Sequence, residues 1–467
     1  MLTNLNFLAI GERFPPPSEA KRLNMYRNNR RLFECDHADV YKEDLKRIQR
    51  VIGNFEDVIS YPVILNFQKV MTLKIVDLLM GEEPEITAEK EPQKEVIKDI
   101  MRRSNLMNTA QLTAIDVSRY GDGLFYIRTE GSKGIVDVTQ PPIWFPVVEP
   151  DNVRKIQFHV LAWTSGEENE KLTVKIHGKG SYEQREYQID KGMIIRQLTS
   201  DVYQTGLDDF AIIQIPNIIT SDRATGLDDY TDLDSIMGEL IVRVGQVSRI
   251  LDKHASPSMS GPSAALEQDP ETGEWRLKTG NYFPRESKED PGVEYITWEG
   301  HLEANFRMIE KLVNMLYTIS EMGSAIFGDL STSTGQVPSG SALRRLMISP
   351  LSKVSRIRTR FDPALKQAIA LCSQLGTGVK LTPEEITINW QDGLPPDFTE
   401  DALIIEKRTA GKSTMSQKRA LMMYDNMNED QADNELAQIQ DEESAMTPIN
   451  IPGIAQGPLS APEGDEE

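Results

Sequence analysis

The chain has 467 residues, with 51 Lys and Arg against 72 Asp and Glu and a formal net charge of -21. That length allows two or three cores, and a hydrophobic fraction of 39% excludes a wholly disordered chain. The charge argues against general nucleic-acid binding through an exposed basic surface, which Lys and Arg would have to supply. Cys35 and Cys372 provide neither a disulfide framework nor metal-ligand spacing, and point to a reducing compartment. Met1–Arg13 lacks a basic segment followed by an apolar core, and no apolar run approaches the roughly eighteen residues that span a bilayer. A soluble chain without a membrane partner is expected.

In chain order, Ser18–Phe33 and Asp36–Val51 mix charge with apolar residues and predict surface helices. Tyr61-Pro62 opens a stronger one, with Ile64, Phe67, Met71, Ile75 and Leu78 on one side and Gly81 and Pro84 as the stop. Lys94–Ser118 continues helically. At Gly121 the period changes to two, and Leu124–Arg128, Gly134–Val138, Val153–Thr164, Lys171–Ile176, Arg185–Ile189 and Met193–Gln197 predict strands. No crossover helices separate them, so the sheet is antiparallel. Ile212–Ile219 then leads to two long helices.

In the first, Tyr230, Leu233, Met237, Leu240, Val244, Val247 and Leu251 recur at three- and four-residue steps. In the second, Leu302, Phe306, Ile309, Leu312, Leu316, Ile319 and Ile326 repeat the pattern, and such a helix would extend about 39 Å at the usual rise per residue. Its opposite side is a polar stripe of Glu303, Arg307, Glu310, Asn314, Thr318 and Glu321. Between the helices, Lys253–Gly300 is broken by Pro and Gly, and Glu274–Lys278 and Glu294–Trp298 alternate as strands of a small module.

Asp329–Ser341 is a loop of Ser, Thr, Gly and Gln. The next helical pattern runs from Leu343 to Leu375, and Pro350 and Pro363 are expected to kink it. It is locally basic, with Arg344, Arg345, Lys353, Arg356, Arg358, Arg360 and Lys366 against Asp362. Pairing with carboxylates of the same chain or of a neighbouring copy is the plain reading of that reversal. Ile386–Trp390 reads as a strand. Leu403–Gln440 reads as helical with a break near Asn426–Asn428 and capping-box spacing at Thr414 and Gln417. The acidic end reads as a disordered tail.

Catalytic chemistry finds little support. Gly411-Lys412-Ser413 ends like a phosphate-binding loop, but Glu406 replaces the earlier glycine. Gly178-Lys179-Gly180 begins a dinucleotide fingerprint that Glu183 interrupts. The five histidines show no metal-site spacing. Asp228, Asp229, Asp232 and Asp234 suit the first turn of a helix, where negative charge complements exposed amides, better than a divalent cation. No catalytic residue, cofactor or metal is expected.

Taken together, the layout resembles the portal proteins of tailed double-stranded-DNA bacteriophages (siphovirus-type). The cues are the helix from Tyr61-Pro62 to Gly81, the segment Gly226-Leu-Asp-Asp-Tyr-Thr-Asp-Leu-Asp234, and its helix exit at Leu251-Asp252-Lys253-His254. Ser339-Gly340-Ser341-Ala342-Leu343 and Trp390 with Pro395-Pro396-Asp397-Phe398-Thr399-Glu400-Asp401 complete them, over roughly residues 20–440.

The resemblance implies an α+β portal fold: long stem helices, an antiparallel β wing, a small α/β clip and a helical crown, assembled as a ring. It divides the chain into wing 1–228, stem helix 229–252, clip 253–300, stem helix 301–328, tunnel loop 329–341, kinked helix and return to the wing 342–400, crown 401–442 and disordered acidic tail 443–467. A dodecameric homo-oligomer in the virion follows, passing double-stranded DNA without sequence specificity during packaging and ejection. Terminase, a head-completion adaptor and the major capsid and scaffolding proteins are its implied partners. Ser331, Thr332, Ser333, Thr334, Gly335, Gln336 and Val337 become the loop facing DNA, cation-free and suited to sliding. Arg344 and Arg345 stand as phosphate or inter-subunit contacts. Glu274, Trp275, Arg276, Tyr282 and Arg285 face the adaptor or terminase. The alternatives are a metal-dependent enzyme using the Asp228–Asp234 cluster and another capsid or adaptor scaffold.

Overall fold

The computed structural model describes residues 1–46, 65–166, 170–255, 259–260, 266–268, 270, 273, 275–277, 294–295, 302–328, 340–376, 378–391, 398–411, 413–425, 427 and 429–446. They divide into two units, Met1–Leu394 and Pro395–Glu467.

In the first unit, helices α1 (Ala20–Phe33), α2 (Phe67–Met80), α3 (Glu91–Ser104) and α4 (Leu106–Tyr120) surround the sheet core. The expected start of α2 at Tyr61-Pro62 lies outside the described residues. Within them Asn66 caps the helix by accepting from the Lys69 amide, and the helix stops at Met80, before Gly81, as expected. Two expectations fail here. The helix expected over Lys94–Ser118 is two helices, because Asn105 adopts φ 44°, a left-handed geometry that Asn tolerates better than most residues. Nor is α1 a surface helix on all sides: it packs on α4, burying Tyr26 and Leu32, with the Tyr26 and Tyr120 rings 5.0 Å apart.

Strand β1 (Glu85–Thr87) precedes α3. The period-two region then builds β2 (Asp122–Glu130), β3 (Lys133–Val138), β4 (Trp144–Val148), β5 (Ile156–Ser165), β6 (Lys171–His177), β7 (Ser181–Asp190), β8 (Met193–Gln204) and β9 (Ile212–Pro216). These form two sheets, β3-β2-β9 and β4-β5-β6-β7-β8, and every pairing within them is antiparallel. Strand β4 has no counterpart in the sequence reading. All five of its residues are buried, so no alternation marks it, and Pro146 is tolerated at a sheet edge. The segment around Leu2 runs beside that edge, with the Val148 amide donating to the Leu2 carbonyl at 2.9 Å.

The two long helices follow as α5 (Asp234–Ala255) and α6 (Leu302–Ile319), and they pack against each other. Between them, β10 (Met259–Ser260) pairs with β13 (Glu294–Tyr295), and β11 (Leu266–Gln268) with β12 (Trp275–Leu277). The two expected strands of the insert therefore each find a short upstream partner that its Pro and Gly content concealed.

Helix α6 is shorter than expected. It ends at Ile319, Glu321 takes φ 61°, and Ile326 falls in a separate 3-10 turn, Ala325–Phe327. Eighteen residues extend about 27 Å. Its apolar stripe is only partly covered: Leu312 and Leu316 are buried, whereas Phe306 and Ile319 are about half exposed.

Helices α7 (Gly340–Leu346) and α8 (Ile348–Gln374) come next, then β14 (Thr387–Asn389), which pairs with β1. The interruption lies at Met347 rather than at a proline. Pro350 sits in the first turn of α8, where an amide hydrogen is not needed, and Pro363 lies within a helix that continues through it. The main core joins α2, α3, α4, β2, β9, α5 and α8; the five-stranded sheet has a second, containing Leu2, Phe7, Leu8 and Phe14.

The second unit consists, among its described residues, of α9 (Phe398–Thr409), α10 (Gln417–Tyr424) and α11 (Glu429–Met446). Helix α10 ends at Tyr424 and α11 begins at Glu429, on either side of the break expected near Asn426–Asn428, and a further break, not expected, comes at Gly411, with φ 64°. The α10 cap is Ser416, accepting from the Arg419 amide at 3.2 Å, rather than Thr414. Lys418 bridges Glu429 and Asp433 at 3.0 and 2.8 Å and ties α10 to α11. Residues 443–446 of the expected tail are instead the last turn of α11, which runs through Met446, and the rest of that expectation lies outside the described residues.

Candidate functional site at the helix junction

The approach to α5 is built against the end of α4. Gly121 closes α4 at φ 85°, and residues 217–229 lie across it: the Asn217 amide donates to the Gly121 carbonyl at 2.8 Å and the Asp229 amide to the Ser118 carbonyl at 3.0 Å. Asp122, fully buried, fixes this crossing. Its carboxylate accepts from the Gly226 amide at 3.0 Å and from Gln214 Nε2 at 2.7 Å, with the Tyr26 hydroxyl 3.5 Å away. Burial nevertheless pushes the Asp122 carboxyl up to about 6, against the lowering effect of those hydrogen bonds.

That shift has a sign. Between pH 4 and 6 the folded chain holds a proton at Asp122 that the unfolded chain has lost, so Asp122 makes stability fall as pH rises across that window. Asp116 and Asp234, also raised to about 6 by burial, act in the same direction. In Asp122→Asn the amide oxygen keeps the Gly226 and Gln214 donors, and its nitrogen finds the Tyr26 hydroxyl as an acceptor. The variant is therefore expected to be more stable than the parent at pH 7, by up to about 3 kcal/mol. Urea denaturation at pH 4 and pH 7 checks this; a variant that loses stability equally at both pH values contradicts it.

The acidic knot is then used piece by piece. Asp228 Oδ1 accepts from the Tyr230 and Thr231 amides at 2.8 Å, a cap at the start of the 3-10 turn that leads into α5. Asp234 meets the Tyr41 hydroxyl at 3.3 Å, and Asp232 is exposed. Asp229 turns inward to Lys353 of α8 at 2.9 Å, with both side chains under 10% exposed. Among the described residues no three His, Cys, Asp or Glu side chains are placed to hold a metal ion.

Lys353 is the centre of the junction. Besides Asp229 at the approach to α5, its ammonium donates to the Ser320 carbonyl, just past the end of α6, at 2.9 Å. The left-handed Glu321 beside it accepts from the Ser349 hydroxyl through its carbonyl and pairs with Arg356 through its carboxylate. Two turns of α8, from Ser349 to Arg356, thus hold the approach to one long helix and the end of the other. Lys366 pairs with Asp362, and Arg358 donates to the Leu78 and Gln391 carbonyls. The expectation of intramolecular partners holds for Lys353, Arg356 and Lys366.

Of the other expected positions, Ser331, Thr332, Ser333, Thr334, Gly335, Gln336 and Val337 lie outside the described residues, as do Glu274, Tyr282 and Arg285. Trp275 and Arg276 lie in β12. Arg344 and Arg345 are exposed on α7. Asn217 and Ser320, both buried at the junction, carried no sequence signal. His159 and His177 are opposite one another in the β5–β6 register, which eighteen residues of separation concealed; burial pushes both down to about 3.

No helix among the described residues is long and apolar enough to cross a membrane. No curated protein matches the chain. It is similar in structure to a chain from the neck of a native gene transfer agent particle computed with C12 symmetry, at 12% identity and TM-score 0.47, covering 76% of this chain and 89% of that one. It is similar also to one from the neck of an empty particle computed with C6 symmetry, at 13% identity and TM-score 0.47, covering 81% and 93%. Residues 241–448, from within α5 to just beyond α11, match the family of phage portal proteins described as SPP1 Gp6-like. Over those residues, a little under half of the chain, the sequence is that of an SPP1 Gp6-like phage portal protein by family likeness.

Proposed function

We propose that this chain is a phage portal protein, forming the ring-shaped DNA conduit at one vertex of a capsid in about twelve copies with closed cyclic symmetry and head-to-tail contacts. The observation that carries the reading is the family match over residues 241–448, which takes in most of the helix pair, its insert and the junction helix. The half-exposed Phe306 and Ile319 on α6, with Leu251 on α5, support it as apolar surface for a neighbouring copy to cover.

In this reading residues 1–228 are the wing, 229–252 and 301–328 the stem, 253–300 the clip, 329–341 the tunnel loop, 342–400 the helix behind it and the return to the wing, and 401–442 the crown. The clip, including Glu274, Trp275, Arg276, Tyr282 and Arg285, docks terminase during packaging and a head-completion adaptor afterwards. Ser331–Val337 lines the channel, where a cation-free loop and an acidic chain let duplex DNA slide. Arg344 and Arg345 at its edge contact phosphate or a neighbouring subunit. ATP hydrolysis is left to the separate motor, and the capsid and scaffolding proteins surround the wing.

Native mass spectrometry with negative-stain imaging of the purified protein tests this. A closed ring of about a dozen copies with an axial hole is expected. A stable monomer or an open polymer rules the conduit out.

A further inference from the structure

The basic stripe of α8 contains a cation that the junction does not use. Among the described residues Arg360 makes no ion pair; its Nη1 donates to the Arg356 carbonyl one turn back, at 3.2 Å. Beside it is a cavity of about 10 Å³ lined by Asn217, Ile218, Lys353, Arg356, Ile357 and Arg360. Asn217 is 2% exposed, and its Nδ2 has no hydrogen-bond partner among the described residues. A buried amide donor without an acceptor is unfavourable, and the cavity has room for about one oxygen atom.

The charged and amide groups lining it are Asn217, Lys353, Arg356 and Arg360; the three cations only donate, and Asn217, which also carries one acceptor oxygen, has its Nδ2 donor unpartnered among the described residues. The carboxylates nearby, Asp229 and Glu321, are engaged with Lys353 and Arg356 and are not part of the lining. Three cations against two carboxylates leave the notch positive. A water molecule there would bring hydrogens with few acceptors to receive them, whereas an oxyanion oxygen brings only lone pairs.

We propose that this notch between Asn217 and α8 is an oxyanion site that takes one oxygen of a phosphate group, the remaining oxygens lying at its mouth toward Arg356 and Arg360. The phosphate is either free in solution or part of a DNA backbone. Neither source requires the ring, so the proposal can fail or stand apart from the conduit reading.

The test uses full-length protein and Arg360→Gln, with Arg360→Lys as the charge-conserving second variant. Thermal midpoints in inorganic phosphate and in chloride at equal ionic strength form one arm. Fluorescence anisotropy of a labelled short duplex between 50 and 200 mM salt forms the other. Equal midpoints in chloride show that the variants fold.

The parent is expected to gain more from phosphate than Arg360→Gln does, with Arg360→Lys between them. If the source is DNA, Arg360→Gln also weakens duplex binding about threefold to tenfold and flattens the dependence of log affinity on log salt by about one. A response to phosphate without a response to duplex assigns the notch to the free ion. If Arg360→Gln matches the parent in both arms, the cavity holds water only and the proposal is wrong.

Discussion

Replacing Gly226 with alanine is expected to destabilise the N-terminal unit by about 3 kcal/mol or more. A Cβ at Gly226 would lie 1.9 Å from the Gly121 carbonyl oxygen and 3.1 Å from the Asn217 amide nitrogen. Both are backbone atoms, and neither is free to retreat. Gly121 receives the Asn217 amide at 2.8 Å while its own amide donates to Val117 at 3.0 Å, closing α4. From the other direction, a Cβ at Gly121 would lie 2.7 Å from the Gly226 oxygen. Two chain segments cross here because neither carries a side chain.

Gly131 supplies the control. It has φ 61° in a hairpin turn, and a Cβ added there would meet nothing within 4 Å, so alanine costs only conformational strain, about 1 kcal/mol. Chemical denaturation of the two variants separates contact from strain. Equal small losses would mean that the crossing gives way. Because the crossing sets where Asp228 and Asp229 lie on the approach to α5, Gly226→Ala is also expected to lower ring yield under the proposed function, while Gly131→Ala leaves it unchanged.

The difference between these glycines also shows what was legible beforehand. Gly226 belongs to a segment whose spacing marked the approach to α5, yet its reason for being glycine is a residue more than a hundred positions earlier. Periodicity located α5, α6, α8 and most of the strands because apolar side chains recur wherever one face packs. It overran α6, since Ile326 continues the pattern in sequence while Glu321 turns the backbone away. It missed β4, since a strand buried along its whole length has no alternation to read. At the junction, composition exposed Lys353 as part of a basic run and Asp229 as part of an acidic one. Their meeting depends on how α8 packs against β9, the strand that leads into the approach to α5, which no local pattern records.

That meeting leads to the second large effect. Lys353→Met is expected to cost about 3 to 5 kcal/mol, because it leaves Asp229 charged and buried. The Asp229 side chain is 2% exposed, and its Oδ2 already lacks a hydrogen-bond donor among the described residues, so little solvent is available to replace the ammonium. The same substitution removes the donor to the Ser320 carbonyl and loosens the turn after α6. Asp229→Leu alone strands the lysine instead. Joining the two substitutions removes both charges, and a pair of apolar side chains of similar size is often neutral or stabilising at such a site. The double variant is therefore expected to recover most of the lost stability, with a coupling of about 2 kcal/mol or more in the cycle. A Lys353→Met variant within about 1 kcal/mol of the parent would show that water reaches Asp229 and that the pair contributes no more than a surface one. Hydrogen exchange at the Ser320 and Met322 amides supplies a separate readout. If Lys353 serves only to neutralise Asp229, the double variant restores protection there; if it also holds the end of α6, exchange stays fast although stability returns. The second outcome is expected, because methionine at 353 carries no donor to offer the Ser320 carbonyl in place of the ammonium.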